Sequence, residues 1–362
     1  MTNTSTKTIL IAPLDWGLGH ATRCIPIIQS LQTQGHQIIV AVNKKQQHLL
    51  EKELNQIQFI FLEGYQITYS KSRYFFVIKI LAQIPKILYK IYNEHQWLKK
   101  LIQEEKIDMV ITDNRFGLFS KKVPCIFITH QLEIQAPFEW MRAIIQKINY
   151  AFINKFQQCW IPDIDGENNM AGGLSHPKKL PQIPTHYLGN LSRFKIQTNA
   201  IEKYDVCVLL SGPEPQRTLL EEKLIHQISL LKSKKIIFLR GLPETEKSIS
   251  ITGVEVYNHL QHHKLETVLN QSECIVSRSG YTSVMELLSL QKKAILIPTP
   301  GQTEQEYLAA YLLKKKIALS YTQNVFDMNE ALKEAANFNY QRNVNVQFNS
   351  NKLLELINNI LP

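Results

Sequence analysis

No two cysteines in this chain are spaced C-x-x-C. The five present, Cys24, Cys125, Cys159, Cys207 and Cys274, are odd in number and scattered, which argues against a disulfide framework or a thiolate zinc site. Most fall in or beside apolar runs, where reduced thiols pack as small hydrophobes. The opening "MTNTSTK" has no apolar h-region, and no uncharged apolar run reaches the roughly 18 residues that suggest a membrane span. A cytoplasmic address is therefore expected. Aromatic-basic RNA motifs, zinc fingers and a compact helix-turn-helix are also missing, so a noncatalytic nucleic-acid-binding module finds little support.

What is present is an ordinary globular composition with a basic bias. The 362 residues are long for one hydrophobic core and point to two domains. Lys and Arg number 41 against 31 Asp and Glu, a formal charge of +10, which favours an anionic partner such as a nucleotide, a nucleic acid or a lipid head group.

Short β-branched runs alternate with helical periodicity along the whole chain, the pattern of parallel α/β layers. "KTILIAPL", "QIIVAVN", "QFIFLEG", "IDMVITDN", "CIFITHQ" and "QCWIPD" read as strands of a first domain. "YDVCVLLSG", "KKIIFLRG", "VEVYN", "CIVSRSG" and "KAILIPTP" read as strands of a second. Between Gly189 and Tyr204 the chain is polar and without apolar period, as a linker would be. The expected division is an N-terminal domain over 1–192, a linker over 193–204, a C-terminal domain over 205–344, and a final helical segment, 345–362, free to fold back on the first. Two such doubly wound domains facing each other would place the carboxyl ends of both sheets on one central cleft, where open α/β sheets bind ligands.

The first strand-to-helix turn is "DWGLGHATR", Asp15 to Arg23. Gly17 and Gly19 permit positive φ and close approach of a ligand, and the helix start behind them offers unpaired N–H groups to an anion. The spacing is GxGxxT where a dinucleotide site has GxGxxG, and the second strand ends in Asn43 where such a site has an acid, so NAD binding is discounted. His20 sits inside this glycine turn, where an imidazole accepts a proton near neutral pH; helix capping is the simpler alternative.

In the second half, "VSRSGYTSVMELL" repeats the arrangement. Ser279 and Gly280 follow a strand, Thr282 and Ser283 open a helix, and Glu286 lies one turn on. Hydroxyls and N–H groups there suit a diphosphate and the carboxylate suits ribose hydroxyls, while a capping box explains the same residues structurally. In "PTPGQTEQEYLAAYL", Gln302, Glu304 and Gln305 cluster before an amphipathic helix and suit a sugar's hydroxyls.

Together "GLGHATR", "SRSGYTSVMEL" and "IPTPGQTEQEYLAAYL" resemble the signature segments of GT-B glycosyltransferases that use nucleotide sugars, in particular the peptidoglycan N-acetylglucosaminyltransferase and galactolipid synthase group. The match covers the first turn and much of the second domain; residues from about 60 to 185 match in layout only. The resemblance implies a GT-B architecture of two Rossmann-like domains. It places His20 at the acceptor and uridine diphosphate on Ser279, Gly280, Thr282, Ser283 and Glu286. It further places the donor sugar's hydroxyls on Glu304 and Gln305, and a phosphate loop on Ser211 and Gly212. The implied reaction is inverting transfer from a UDP-sugar with no metal or other cofactor, His20 or Asp15 taking the proton and Arg217 or Arg278 facing the leaving diphosphate. Retaining relatives carry a Glu-x7-Glu pair, and here Ala294 stands eight residues after Glu286. The loop "SGPEPQR" and the segment "THQL", Thr129 to Leu132, depart from the group's pattern and leave the acceptor open.

Asp163-Ile164-Asp165 mimics a metal-binding DxD, but its turn-rich surroundings favour ordinary turn residues. Residues 71–100 carry seven Lys/Arg against one Glu among many aromatic and aliphatic residues. In "FEWMRAIIQKINYAFINKF" Met141, Ile145, Ile148 and Phe152 form one helical stripe, with Arg142, Lys147 and Lys155 outside it. Such segments can lie on an anionic membrane face, which suggests peripheral contact with the inner membrane surface and a lipid-linked or cell-envelope acceptor. Asp113, Asn114, Arg115 and His130, at strand ends, are candidate acceptor-side residues. A nucleotide-sugar 2-epimerase of the same frame is the main alternative, and a noncatalytic anion-binding protein the lesser one.

Overall fold

The computed structural model describes residues 6–65, 73–135, 138–231, 233–341 and 346–361, with the side chains of 73–82 excepted. Two compact units divide the chain. The first comprises Met1–Asn169, Gly173–Arg193 and Gln347–Pro362; the second comprises Met170–Gly172 and Phe194–Val346.

In the first unit the elements run β1 (Thr8–Pro13), α1 (Gly19–Thr33), β2 (Gln37–Val42), α2 (Lys44–Leu50), β3 (Gln58–Phe61), α3 (Arg73–Glu104), β4 (Met109–Asp113), β5 (Cys125–Ile128), α4 (Glu139–Ile153), β6 (Gln158–Ile161) and β7 (Thr185–Tyr187). The second unit holds β8 (Tyr204–Leu209), α5 (Gln216–Ile228), β9 (Ile236–Leu239), β10 (Val254–Tyr257), α6 (His262–Asn270), β11 (Ser272–Ser277), α7 (Tyr281–Ser289), β12 (Lys293–Leu296), α8 (Thr303–Lys314), β13 (Leu319–Ser320) and α9 (Met328–Asn337). The last helix, α10 (Ser350–Ile360), belongs to the first unit.

Both sheets are parallel, with strand orders β3-β2-β1-β4-β5-β6-β7 and β10-β9-β8-β11-β12-β13. The unbroken apolar strands of the sequence follow from burial on both faces. Ile9, Ile11 and Val40 face α1 and α10, packing with Ile25, Ile28, Leu353 and Ile357. Leu10, Val110 and Phe127 face α3 and α4 on the other side of the sheet, packing with Leu98, Leu101 and Ile153. All five cysteines are free and buried.

β7 and β13 have no counterpart among the expected strands. Each ends its sheet, and they span three and two residues respectively, too short for any period to show. Met170–Gly172 joins the second unit because Gly172, at φ +55, lies against Tyr307 and Tyr311, where a Cβ would fall 2.6 Å from the Tyr307 hydroxyl.

In each unit the strand order reverses beside the first strand, between β1 and β4 and again between β8 and β11. Loops leaving these neighbours part to opposite sides, which opens a crevice at the carboxyl edge.

Candidate functional site

At the β1/β4 reversal of the first unit, the opening motif meets Asp113. Gly17 adopts φ +80, and its N–H donates to the Asp15 carbonyl at 2.9 Å, which turns the chain into α1. Gly19 starts that helix, whose first turn has neither a side-chain cap nor an acid. One helical turn brings His20 and Arg23 to one side, as i,i+3 spacing requires.

Arg23 and Asp113 are buried, 2% and 1% exposed. The Arg23 Nε–H donates to Asp113 Oδ2 at 2.5 Å, and Nη2 bonds Oδ1. Arg23 Nη1 also donates to His130 Nδ1 at 2.8 Å. His20 Nδ1 lies 3.0 Å from Asp113 Oδ2 and 2.8 Å from Arg23 Nη2. A ring nitrogen serves one of these at a time. When Nδ1 carries the proton it donates to Asp113, and the lone pair is left on Nε2. That second nitrogen enters no hydrogen bond among the described residues, and the His20 side chain is 13% exposed. Burial alone would raise the Asp113 pKa, but the Arg23 charge, then His20, and hydrogen bonds from both hold it well below the ordinary carboxylate range. A permanently ionised carboxylate behind a histidine fixes its tautomer and would stabilise the imidazolium.

Other first-unit candidates fall differently. Asp15 is half-buried against Gly64, and its Oδ1 is enclosed without a hydrogen-bond partner among the described residues. Asn43 caps α2, accepting the Gln46 N–H at 2.9 Å. Arg115 departs from the expected acceptor-side position: it is fully buried and donates to the Pro13 carbonyl at 2.8 Å, the Glu63 carbonyl at 3.1 Å and Glu94 Oε1 at 2.7 Å. Its guanidinium holds loops together from within. Asp163 is likewise buried, accepting the Ser175 hydroxyl and the Ile164 N–H, while Asp165 is exposed, so the DxD carboxylates do not act as a pair.

In the second unit, the start of α7 carries the open polar groups. Its N-cap is Gly280, with no side-chain cap and no acid in the first turn, so the anticipated capping box does not form. Thr282 and Ser283 are half-exposed within that first turn, and their hydroxyls make no hydrogen bond among the described residues. Glu286 follows one turn later, 8% exposed. Ser211 and Gly212 follow β8, with Gly212 at φ +103.

Four other expected contacts are turned inward. Ser279 is buried and its hydroxyl donates to the Gln305 carbonyl at 2.9 Å. The Gln305 side chain accepts the Thr299 N–H at 2.9 Å and donates to Gln302 Oε1 at 2.5 Å. Arg217 is bound to Glu214 Oε1 at 2.6 Å, to Glu221 and to the Arg240 carbonyl. Arg278 is fully buried and donates to the carbonyls of Ile297, Pro298 and Gln216. Burial lowers its pKa to about 10, so it stays charged at neutral pH, with that charge directed to backbone dipoles. The Arg278 Nε is buried without a hydrogen-bond partner among the described residues. Glu304 is half-exposed at the start of α8, and the adjacent Glu306 accepts the Gly301 N–H at 2.9 Å.

Two residues of these clusters, Arg23 and Thr299, escape the sequence reading. Arg23 has a readable signal, its i,i+3 spacing from His20; Thr299, between two prolines, has none.

A family model described as Glycosyl transferase family 1 matches residues 8–335. The chain belongs to that family. Among curated relatives, the UDP-N-acetylglucosamine--N-acetylmuramyl-(pentapeptide) pyrophosphoryl-undecaprenol N-acetylglucosamine transferase of Clostridium tetani is 24% identical over 294 residues, 77% of this chain and 75% of the relative. The enzyme of the same name from Staphylococcus haemolyticus is 21% identical, covering 78% and 76%. Among solved structures, the glycotransferase of kitacinnamycin superposes with a TM-score of 0.68 at 14% identity, covering 99% of this chain and 100% of the other. The glycosyltransferase SnogD from Streptomyces nogalater superposes with a TM-score of 0.62 at 11% identity, over 98% and 100%. The architecture is GT-B, and the chain is a glycosyltransferase. These relatives are named as transferases, and the epimerase alternative gains no support from them.

Proposed function

We propose that this glycosyltransferase moves a hexose or N-acetylhexosamine from a UDP-sugar to a lipid-linked or cell-envelope acceptor, with inversion. The observation that carries the donor half is the start of α7. Uncapped N–H groups, the Thr282 and Ser283 hydroxyls and the helix dipole form a receptor for a diphosphate, with Glu286 one turn away for ribose hydroxyls. The relatives' names supply the substrate class.

In the reaction, an acceptor hydroxyl gives its proton to His20 Nε2 as its oxygen bonds the anomeric carbon. The bond from that carbon to the diphosphate oxygen breaks, and the electron pair leaves with UDP. Asp113 stabilises the imidazolium, and the α7 start stabilises the diphosphate. Asp15, lacking a comparable partner, is the weaker candidate for the base.

Contact with an anionic membrane is part of the same reading. Leu88, Tyr89 and Tyr92 of α3, and Phe138, Trp140, Ile144 and Ile148 at α4, are exposed. Of the basic segment 71–100, residues 71–72 and the side chains up to residue 82 lie outside the described residues. On α4 the outward stripe is Trp140, Ile144 and Ile148, whereas Met141, Ile145 and Phe152 are half-buried, so the apolar face turned to solvent shares only Ile148 with the stripe anticipated from sequence. Exposed apolar side chains beside the exposed Lys147 fit an interfacial helix. No described helix is long and apolar enough to cross a membrane.

UDP release from a panel of UDP-sugars, with lipid-linked acceptors, tests the reading. His20→Ala is expected to lower kcat by about 10²–10⁴-fold while UDP affinity is kept; an unchanged rate would remove His20 from the chemistry.

A further inference from the structure

Thr299 stands just beyond β12, and its side chain is in an unusual state. The residue is 2% exposed and its backbone is satisfied: the N–H donates to Gln305 Oε1 at 2.9 Å, and the carbonyl accepts the Gln302 N–H at 3.1 Å. Its Oγ1 is buried without a hydrogen-bond partner among the described residues. An unpaired hydroxyl in the interior destabilises the ligand-free protein, so its retention needs a reason.

The surroundings provide one. A Cβ built on Gly212 would lie 3.7 Å from Thr299 Oγ1, and one built on Gly280 would lie 3.9 Å from the Gln305 amide nitrogen. Ser279 joins the same knot through the Gln305 carbonyl, and Arg278 ties the Gln216 carbonyl to those of Ile297 and Pro298. The loops after β8, β11 and β12 therefore meet around Thr299 and Gln305, with Gly280, the N-cap of α7, beside the Gln305 amide. Thr299 also sits at the root of the loop bearing Gln302 and Glu304, which its backbone ties down.

We propose that the Thr299 hydroxyl donates a hydrogen bond to the terminal phosphate of the nucleoside diphosphate held at the α7 start, and that Gln305 is the positioning residue that holds Thr299 there. This rests on the donor-site reading above. Gln305, whose amide is committed to Thr299 and Gln302, then shapes the loop rather than touching the sugar.

Calorimetric titration of UDP and UMP into the full-length wild type, Thr299→Val and Thr299→Ser tests the proposal. Thr299→Val is nearly isosteric and removes only the hydroxyl. It is expected to weaken UDP binding about tenfold, to change UMP binding less than about twofold, and to leave the ligand-free Tm equal or higher, since an unpaired hydroxyl has gone. Thr299→Ser keeps UDP binding near the wild-type value. A purely structural threonine would lower the Tm in Thr299→Val and leave the UDP-to-UMP ratio alone. Wild-type UDP affinity in Thr299→Val, or equal losses for UDP and UMP, would overturn the assignment. Glu286→Ala separates the two levels: if it loses UDP while Thr299→Val does not, only this inference fails; if the wild type binds no UDP, the donor-site reading fails with it.

Discussion

The two units share a strand order through their first six strands, yet their reversal points are built on opposite principles. In the first, β1 and β4 are bridged by charge: Arg23, Asp113, His20 and His130 form one hydrogen-bonded cluster with its cationic and anionic members buried. In the second, two buried arginines are engaged by the protein's own groups. Arg278 serves backbone carbonyls and Arg217 serves Glu214 and Glu221, and the first turn of α7 presents only neutral groups: a glycine, hydroxyls and N–H groups. The difference fits two tasks. Moving a proton needs a group whose protonation state is fixed by neighbours, whereas holding a dianion needs donors without a carboxylate among them.

The largest effect should come from breaking the charged bridge. Asp113→Asn removes the anion between two cationic or basic partners and leaves Arg23 buried without its counter-charge, a class of change that costs about 3–5 kcal/mol. Urea unfolding should show that loss, and kcat should fall at least as far as in His20→Ala, because the tautomer is no longer fixed. Retention of both stability and kcat would mean that the bridge is incidental.

The second unit gives the contrasting test. If Arg217 faced the diphosphate, Arg217→Met would collapse UDP affinity. With its guanidinium held by Glu214 and Glu221, the variant is instead expected to lose about 1–3 kcal/mol of stability from the buried Glu221 side and to keep UDP affinity within about threefold. A tenfold or greater loss of affinity in a folded variant would restore Arg217 to the phosphate.

Much of this was readable in the sequence, and the part that was not has a physical cause. The strands β1 to β6 and β8 to β12 announce themselves as apolar β-branched runs because burial on both faces forces that composition; β7 and β13 are edge pieces too short to carry it. Glycine turns and strand ends locate His20, Asp113, Gly280 and Thr282. What sequence does not encode locally is which way a long polar side chain turns. Arg115, Arg217, Arg278 and Gln305 all stand at strand ends or helix starts, as ligand-binding residues do, and all four point inward to satisfy buried backbone or carboxylate groups. Ser279 follows the same rule.

A milder contrast separates the outer surfaces. The outward stripe of α4, Trp140, Ile144 and Ile148, has companions on α3, whereas the exposed apolar residues of the second unit, such as Ile201, Leu230 and Val325, are far apart in sequence and lie on no common helix face. Sedimentation with vesicles containing anionic lipid should therefore be weakened several-fold by Trp140→Ser combined with Ile144→Ser, and unchanged by Leu230→Ser. Equal binding by wild type and both variants would rule out α4 as the contact.

The smallest effect concerns pH, and its sign follows from Asp113. Because Arg23 and His20 hold its pKa well below that of an unfolded aspartate, the folded state binds fewer protons there than the unfolded chain does. The stabilisation is fully present above the unfolded pKa of about 3.9 and declines as pH falls below it toward the folded value. The Asp113 contribution to the unfolding free energy should therefore be level from about pH 5 upward, and the difference between wild type and Asp113→Asn should shrink below about pH 4. Asp113 stays ionised throughout the level range, so any acid limb in the rate profile over those pH values must belong to another group. If the stability difference instead showed no decline on acidification below about pH 4, the Asp113 carboxyl would not be held below its unfolded pKa, and the fixed anion behind His20 would have to be abandoned.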